Sequence, residues 1–214
     1  MLVTKPAKMK MKSKATGASG RLRAFNRDTA LRIALKLFCR HGFEGIAIAD
    51  LTKAMQISPP SFYAAFGNKE ILYREALALY QDHTSLGSIG SVGPVREQVR
   101  ALLYDVVHAA TNPEFPAGCM LATGMVNSSA KHAALAKEVA WLRNTRRQKL
   151  AEQLQMAVIR GGLPEGTNIE ANARYLMALM QGIAIQARDG VATSGLLAMV
   201  DVALARWPGT CESG

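Results

Sequence analysis

From Asn26 to Trp207 the apolar residues recur every three to four positions and never alternate over a useful length, so the pattern predicts an all-α protein. Leu31, Ala34, Leu35 and Phe38 follow Asn26, a side chain suited to cap a first helix ending near His41, before Gly42. Phe43 and Ile46 read as loop anchors. A second helix from about Ala47 to Met55 carries Leu51, Ala54 and Met55 on one face, with Asp50 in its first turn complementing the helix dipole. After a polar break at Gln56, Ser58 can cap a short helix from Pro59 to Phe66, and Pro59 falls at the first position, where its missing N–H costs nothing. Phe62 and Phe66 are four residues apart and share the inner face, leaving Pro60, Ser61, Tyr63, Ala64 and Ala65 to point elsewhere. The stretch Leu51 to Glu70 therefore reads as a helix-turn-helix that docks on DNA.

Gly67 ends that helix, Asn68 caps the next, and Leu72, Ala76, Leu79 and Tyr80 form a stripe on a linker helix reaching about Ser85. The run LGSIGSVGP, Leu86 to Pro94, has the Gly and Ser density of a joint. The expected plan is a basic disordered arm over 1–24, a three-helix DNA-binding domain with its linker helix over 25–86, and a larger helical domain over 87–214. In that last part Val95, Val99, Leu102, Leu103 and Val106 define one helix, broken by Asn112, Pro113 and Pro116. Met120, Leu121 and Met125 follow Gly118, and a long helix runs through Leu135, Val139, Leu142, Leu150, Leu154 and Ala157 to Gly161. Ala173, Leu176, Met177, Met180, Ala184 and Ala187 mark another helix, and Leu196, Val200, Ala203, Leu204 and Trp207 the last.

Charge sharpens this plan. The formal charge is +10, and the first 23 residues, with Lys5, Lys8, Lys10, Lys12, Lys14, Arg21 and Arg23 and no acid, carry +7 of it. A basic arm rather than a basic body thus supplies long-range attraction to a polyanion. Cys39, Cys119 and Cys211 are odd in number and lack paired spacing, which argues against a disulfide framework or a zinc site and suits a reducing cytoplasm. No apolar run has the length of a signal peptide or a membrane span, so no membrane partner is expected. Nucleophile and base at motif spacing, a Gly-rich phosphate loop and a metal-ligand set are all missing, as is any cofactor motif, so an enzyme is not expected.

The candidate ligand-binding residues are apolar or sulfur-bearing: Leu103, Val107, Cys119, Met120, Met125, Met177 and Met180, the methionines because thioether chains fit irregular shapes. Cys119 follows Gly118 at an expected helix start, which allows either a packing role or redox and electrophile sensing. Arg143, Arg146, Arg147 and Lys149 form a positive run on the long helix, either a solvated face or a site for an anionic ligand.

ALKLFCRHGFEGIAIADLTKAMQISPPSFYAAFGNKEILYREAL, Ala34 to Leu77, resembles the TetR family of bacterial transcriptional repressors, above all in Phe62-Tyr63, Phe66 and Lys69-Glu70. PAGCMLATG, Pro116 to Gly124, is similar to a segment of one subgroup. The resemblance implies a homodimer on a near-palindromic double-stranded DNA operator, with two recognition helices about one DNA turn apart, released by a small-molecule effector. It implies DNA contacts from Tyr63 and Lys69, with Pro59, Pro60, Ser61 and Ala64 completing the face. It also implies a four-helix dimer interface from the last two helices, where Ala178, Gly182 and Ala184 allow close approach. Two positions depart from the family's pattern. Ile46 and Ala47 stand where a capping Thr or Ser is usual, and Ala64 and Ala65 where an aromatic residue and a His are frequent, so the face holds no Arg, Asn or Gln for a bidentate base contact. The alternative regulator is a thiol-based sensor acting through Cys119.

Overall fold

A computed structural model describes residues 26–83, 89, 93–205 and 207 of the chain, and every regular element among them is helical. The basic arm, most of the joint and Cys211 lie outside the described residues. In order come α1 (Arg27–His41), α2 (Ile48–Met55), α3 (Pro59–Phe66), α4 (Lys69–His83), α5 (Val95–Ala110), the single turn α6 (Met120–Thr123), a 3-10 turn (Ala130–His132), α7 (Ala133–Ile159), α8 (Ile169–Arg188) and α9 (Thr193–Ala205).

Helix starts follow local chemistry. The side chains of Asn26, Ser58, Asn68 and Asn168 accept from the amides of Thr29, Ser61, Ile71 and Ala171 at 2.9, 3.3, 2.9 and 3.0 Å. At α2 the N-cap is Ala47, which cannot accept. Half of the usual reciprocal cap survives, because the Asp50 carboxylate accepts from the Ala47 N–H at 3.0 Å. The turn into α3 places Gln56 in the left-handed region (φ 57), and the Ile57 N–H reaches back to the Thr52 carbonyl at 3.1 Å.

Two apolar cores form. The first joins α1 to α4 and includes Met120 and Leu121 of α6, Met125, and Leu135 and Val139 at the start of α7. The second is built by α5, the later part of α7 (Leu150, Leu154 and Ala157), α8 and α9. At 27 residues α7 is about 40 Å long and belongs to both. Phe38 and Phe43 meet Tyr73 edge-on at 5.0 and 5.3 Å, an arrangement that aromatic quadrupoles favour. Ala54, expected on the inner face of α2, is exposed; Thr52 is buried in its place, its hydroxyl satisfied by the Ala49 carbonyl at 3.0 Å. The inner face of α4 is wider than its stripe suggested, since Tyr73 and Leu77 are buried with Leu72, Ala76 and Tyr80.

Polar ties cross from α1–α4 to the segment leading into α7. Glu44 accepts from the Ser129 amide and hydroxyl at 3.1 and 2.9 Å, His132 Nδ1 lies 2.9 Å from Glu70, and Arg74 Nε donates to Glu138 at 2.7 Å. The Glu44 carboxyl is held below its ordinary pKa, first by the Ser129 amide and then by the Ser129 hydroxyl. Gly124 sets how closely these parts approach. A Cβ there would collide with the Met120 carbonyl and stand 2.5 Å from the Tyr73 hydroxyl. Gly124→Ala is therefore expected to lower stability by about 1–3 kcal/mol, seen as a lower urea midpoint at unchanged slope. An unchanged midpoint would show that the turn yields.

Candidate functional site

On α3, Phe62 and Phe66 are 0% and 2% exposed and root the helix in the first core. Pro59, Pro60, Ser61, Tyr63 and Ala64 are exposed, so the residues expected to meet DNA share one open face. Tyr63 is 51% exposed, and its ring leans edge-on against Phe62 with centroids 5.5 Å apart. The Ser61 hydroxyl lies 2.9 Å from that of Ser58, so one hydrogen bond already engages it within the helix start. Lys69 is half-buried, with Nζ 4.4 Å from the centroid of Phe43, and desolvation lowers its pKa. Ile46 belongs to the first core, and the exposed Ala47 has no side-chain group to offer a phosphate.

Arg27 is a positioning residue that the sequence pattern did not reveal. Its guanidinium pairs with Glu75 at 2.7 Å, donates from Nε to the Ala65 carbonyl at 3.2 Å and sits 4.9 Å from the Phe66 ring centroid. It thereby ties α1 to the C-terminal end of α3, where a cation suits the helix dipole. Only its contact partners 38 and 48 positions away betray this role, and the local pattern holds no trace of them.

The candidate ligand-binding residues divide. Cys119, Met177 and Met180 line a cavity of about 40 Å³, together with Tyr80, Val106, Ala110, Leu121, Arg146 and Gln181 among others. Leu103 and Val107 do not reach it, being fully buried in the second core, and Met120 and Met125 are packed in the first core. A larger cleft of about 420 Å³ adjoins this cavity, sharing Leu121, Arg146 and Met180 with it, and is also bounded by Gln81, Trp141, Lys149 and Gln153. Such a volume falls within the range usual for small-molecule sites.

The inner cavity is a seam between the two cores. Tyr80 and Leu121 belong to the first core and Cys119 packs on it, whereas Val106, Ala110 and Met180 belong to the second and Met177 packs on that. Cys119 caps α6, its Sγ accepting from the Ala122 amide at 3.4 Å. Burial, reinforced by Cys119, pushes the Tyr80 hydroxyl well above its ordinary pKa, and desolvation lowers that of Arg146. Arg143 is anchored differently, donating to the carbonyls of Leu121 and Gly124 at 3.1 and 2.8 Å. Among the described residues no three His, Cys, Asp or Glu side chains gather as a metal site, and no helix is long and apolar enough to cross a membrane.

Residues 30–76 match the family model described as bacterial regulatory proteins of the tetR family, and residues 95–189 match the tetracyclin repressor-like C-terminal domain. The HTH-type transcriptional repressor ComR of Escherichia coli (strain K12) is 30% identical over 193 residues, covering 88% of this chain and 92% of that protein. The chain belongs to the TetR family. Another relative, the regulator YezE of Bacillus subtilis (strain 168), is 27% identical over 73% of this chain and 83% of its own. Among solved structures, a cysteine mutant of the TetR-family regulator CifR complexed with 26-bp double-strand operator DNA is 36% identical. It covers 88% of this chain and 100% of the other with a TM-score of 0.81. The two family models meet this TetR-family chain on either side of the joint, and the cavity lies where the two cores adjoin.

The two described thiols should react differently. Burial first, then the neighbouring Cys119, pushes the Cys39 thiol up to about 12 from 9.0, so it stays protonated at neutral pH, while Cys119 opens onto the cavity. Iodoacetamide at pH 8 should alkylate Cys39 roughly two to three orders of magnitude more slowly in the native than in the urea-unfolded protein, as read by peptide mass spectrometry. Equal rates would show that Cys39 is freely exposed.

Proposed function

We propose that the protein is a transcriptional repressor that binds a near-palindromic operator as a homodimer and leaves it when a small molecule occupies the cleft that adjoins the seam cavity. The carrying observation is that α4, the helix continuous with the DNA-binding unit, walls both hollows, through Tyr80 in the inner cavity and Gln81 in the outer cleft. A ligand that fits one setting of the seam better than another shifts the balance between those settings, and α4 carries α3 with it. Two half-sites about 34–36 Å apart tolerate only a narrow separation of recognition helices. ComR, a repressor by name, and operator-bound CifR favour this reading over an enzyme, and it places the protein with DNA in the cytoplasm.

An exposed stripe on α8 and α9 supports the homodimer. Tyr175, Ala178, Gly182 and Ile185 share one face of α8, and Gly195, Ala198 and Val202 one face of α9. Ile185 and Val202 are 50% and 74% exposed, and with Tyr175, 43% exposed, they put three large apolar side chains on this stripe. Ala184, expected on this face, is instead fully buried within the protomer. Gly182 costs about 1 kcal/mol relative to Ala in mid-helix, yet nothing lies within 4 Å of where its Cβ would stand. Close approach of a second copy accounts for a glycine that its own chain does not need.

A second reading keeps the DNA-binding unit and replaces the ligand by modification of Cys119. Its support is the position of Cys119 in the cavity wall, within electrostatic reach of Tyr80 and Arg146. N-ethylmaleimide should then release operator from the wild type and not from Cys119→Ser; equal release from both would remove this reading.

The main test is fluorescence anisotropy with a duplex from upstream of the protein's own gene against random duplex at physiological salt. Preferential binding of at least tenfold is expected, and Tyr63→Ala should weaken it by roughly tenfold. No preference for the upstream duplex would sink the repressor reading. Ile185→Glu should give a monomer in sedimentation and lose most of the operator affinity, whereas a dimer that survives this charge would place the interface elsewhere.

A further inference from the structure

Of the four cations in the positive run on α7, two are occupied within the chain. Arg143 holds the carbonyls that close α6, and Arg147 pairs with Glu170 and Asn144. Lys149 is exposed at the rim of the outer cleft. Arg146 is half-buried and lines both the inner cavity and the outer cleft, and among the described residues no hydrogen bond or ion pair holds its guanidinium. A guanidinium has five N–H donors in a fixed fork, and withdrawing it from water without a partner is costly.

The surroundings say what would satisfy it. Among the described residues no Asp or Glu stands in the wall of either hollow, while Arg143, Arg146 and Lys149 all line one or the other. Gln181 adds a further side-chain donor to the wall of the inner cavity that Arg146 also lines. Most of the remaining wall is apolar, with Val106, Ala110, Met177 and Met180 inside and Leu102, Leu142 and Trp141 toward the mouth. A bare inorganic ion would waste those surfaces, and a neutral apolar molecule would leave the guanidinium unmet. Planar, bidentate pairing with a carboxylate is the geometry that an arginine fork matches best.

Resting on the ligand-released reading above, we propose that the effector is a small organic carboxylate, its anionic group paired with Arg146 and its apolar or aromatic body packed against Met180 and Trp141. The pairing lies beside the seam, so the acid bridges α7 to the wall that Gln81 supplies from α4. The same pairing selects against uncharged analogues of equal shape, which would bury Arg146 without its partner.

The test compares isosteric probes on the full chain by isothermal titration: hexanoate against hexanamide, and benzoate against benzamide. At least one acid is expected to bind ten times or more tightly than its amide, and Arg146→Gln should remove that gap. Arg146→Lys, which keeps the charge and loses the fork, should retain part of it and serves if the Gln variant fails to fold, as checked by circular dichroism. Equal binding of acid and amide, no binding of either acid, or an undiminished gap in the folded Arg146→Gln protein would overturn the proposal. Operator binding by the same wild-type preparation separates the two levels: operator binding without acid selectivity rejects the carboxylate alone, and loss of operator preference rejects the repressor reading.

Discussion

The constraint on which the rest of the molecule depends is the seam between its two cores. Buried residues on one side, Tyr80 and Leu121, face buried residues on the other, Val106, Ala110 and Met180, across a cavity that neither core fills. Interiors are close-packed elsewhere because every methylene group is felt, and a hollow between two well-packed bodies is the natural place for them to slide or part. The two family models part between residues 76 and 95, yet the packing boundary runs differently. Met120, Leu121, Met125, Leu135 and Val139 all come after the joint in sequence and are packed with α1–α4.

Local chemistry made the DNA-binding unit legible in the sequence. Asn26, Ser58 and Asn68 cap helices because their side chains bond amides three residues on, and Phe62 with Phe66 buries because four residues make about one turn. The seam was not legible in the same way. Leu103 and Val107 carry the same apolar signal as Val106, and which of them meets a cavity depends on how α5 turns against α8 and on where α6 enters, facts of tertiary packing. Met120 and Met177 are likewise alike in chemistry and are assigned to different cores by topology alone. Arg27 was hidden because its partners Ala65 and Glu75 are brought to it by the chain's return, and Thr52 because its hydroxyl is satisfied by its own helix.

The face proposed to meet DNA is short of base-reading groups, and the structure tightens that shortage. Ser61 already shares a hydrogen bond with Ser58, and Lys69 rests on Phe43. Tyr63 is the exposed polar side chain of α3 with the longest reach, and Pro59, Pro60 and Ala64 can offer thymine methyls only apolar contact. Recognition built on such a surface leans on DNA shape and on where the two helices stand, since few direct bonds are available to tolerate misplacement. A regulator of this composition is sensitive to small displacements of α3, and Arg27, fixing α3 to α1 and α4 at once, is the local safeguard of that position.

Magnitudes decide what moves in the proposed release. The ties Glu44–Ser129, Glu70–His132 and Arg74–Glu138 look like the clasp between DNA-binding unit and body, but an exposed ion pair such as Arg74–Glu138 contributes only about 0.2–1 kcal/mol. The buried side chains beside them are worth more, about 1.5–3 kcal/mol for each fully buried large apolar residue, and Leu72, Tyr73, Leu135 and Val139 lie on the same side of the seam. Breaking that core to free α1–α4 alone would cost far more than the 1–3 kcal/mol typical of coupling between sites. The unit that moves is therefore α1–α4 together with α6 and the first turns of α7. The flexing must be taken up within the long α7 and along the cavity, where Arg146 sits between the part of α7 held by the first core and the part held by the second. On that reading a ligand engaging Arg146 acts where α7 passes from one core to the other, so a small change of direction there is carried to the whole α1–α4 unit.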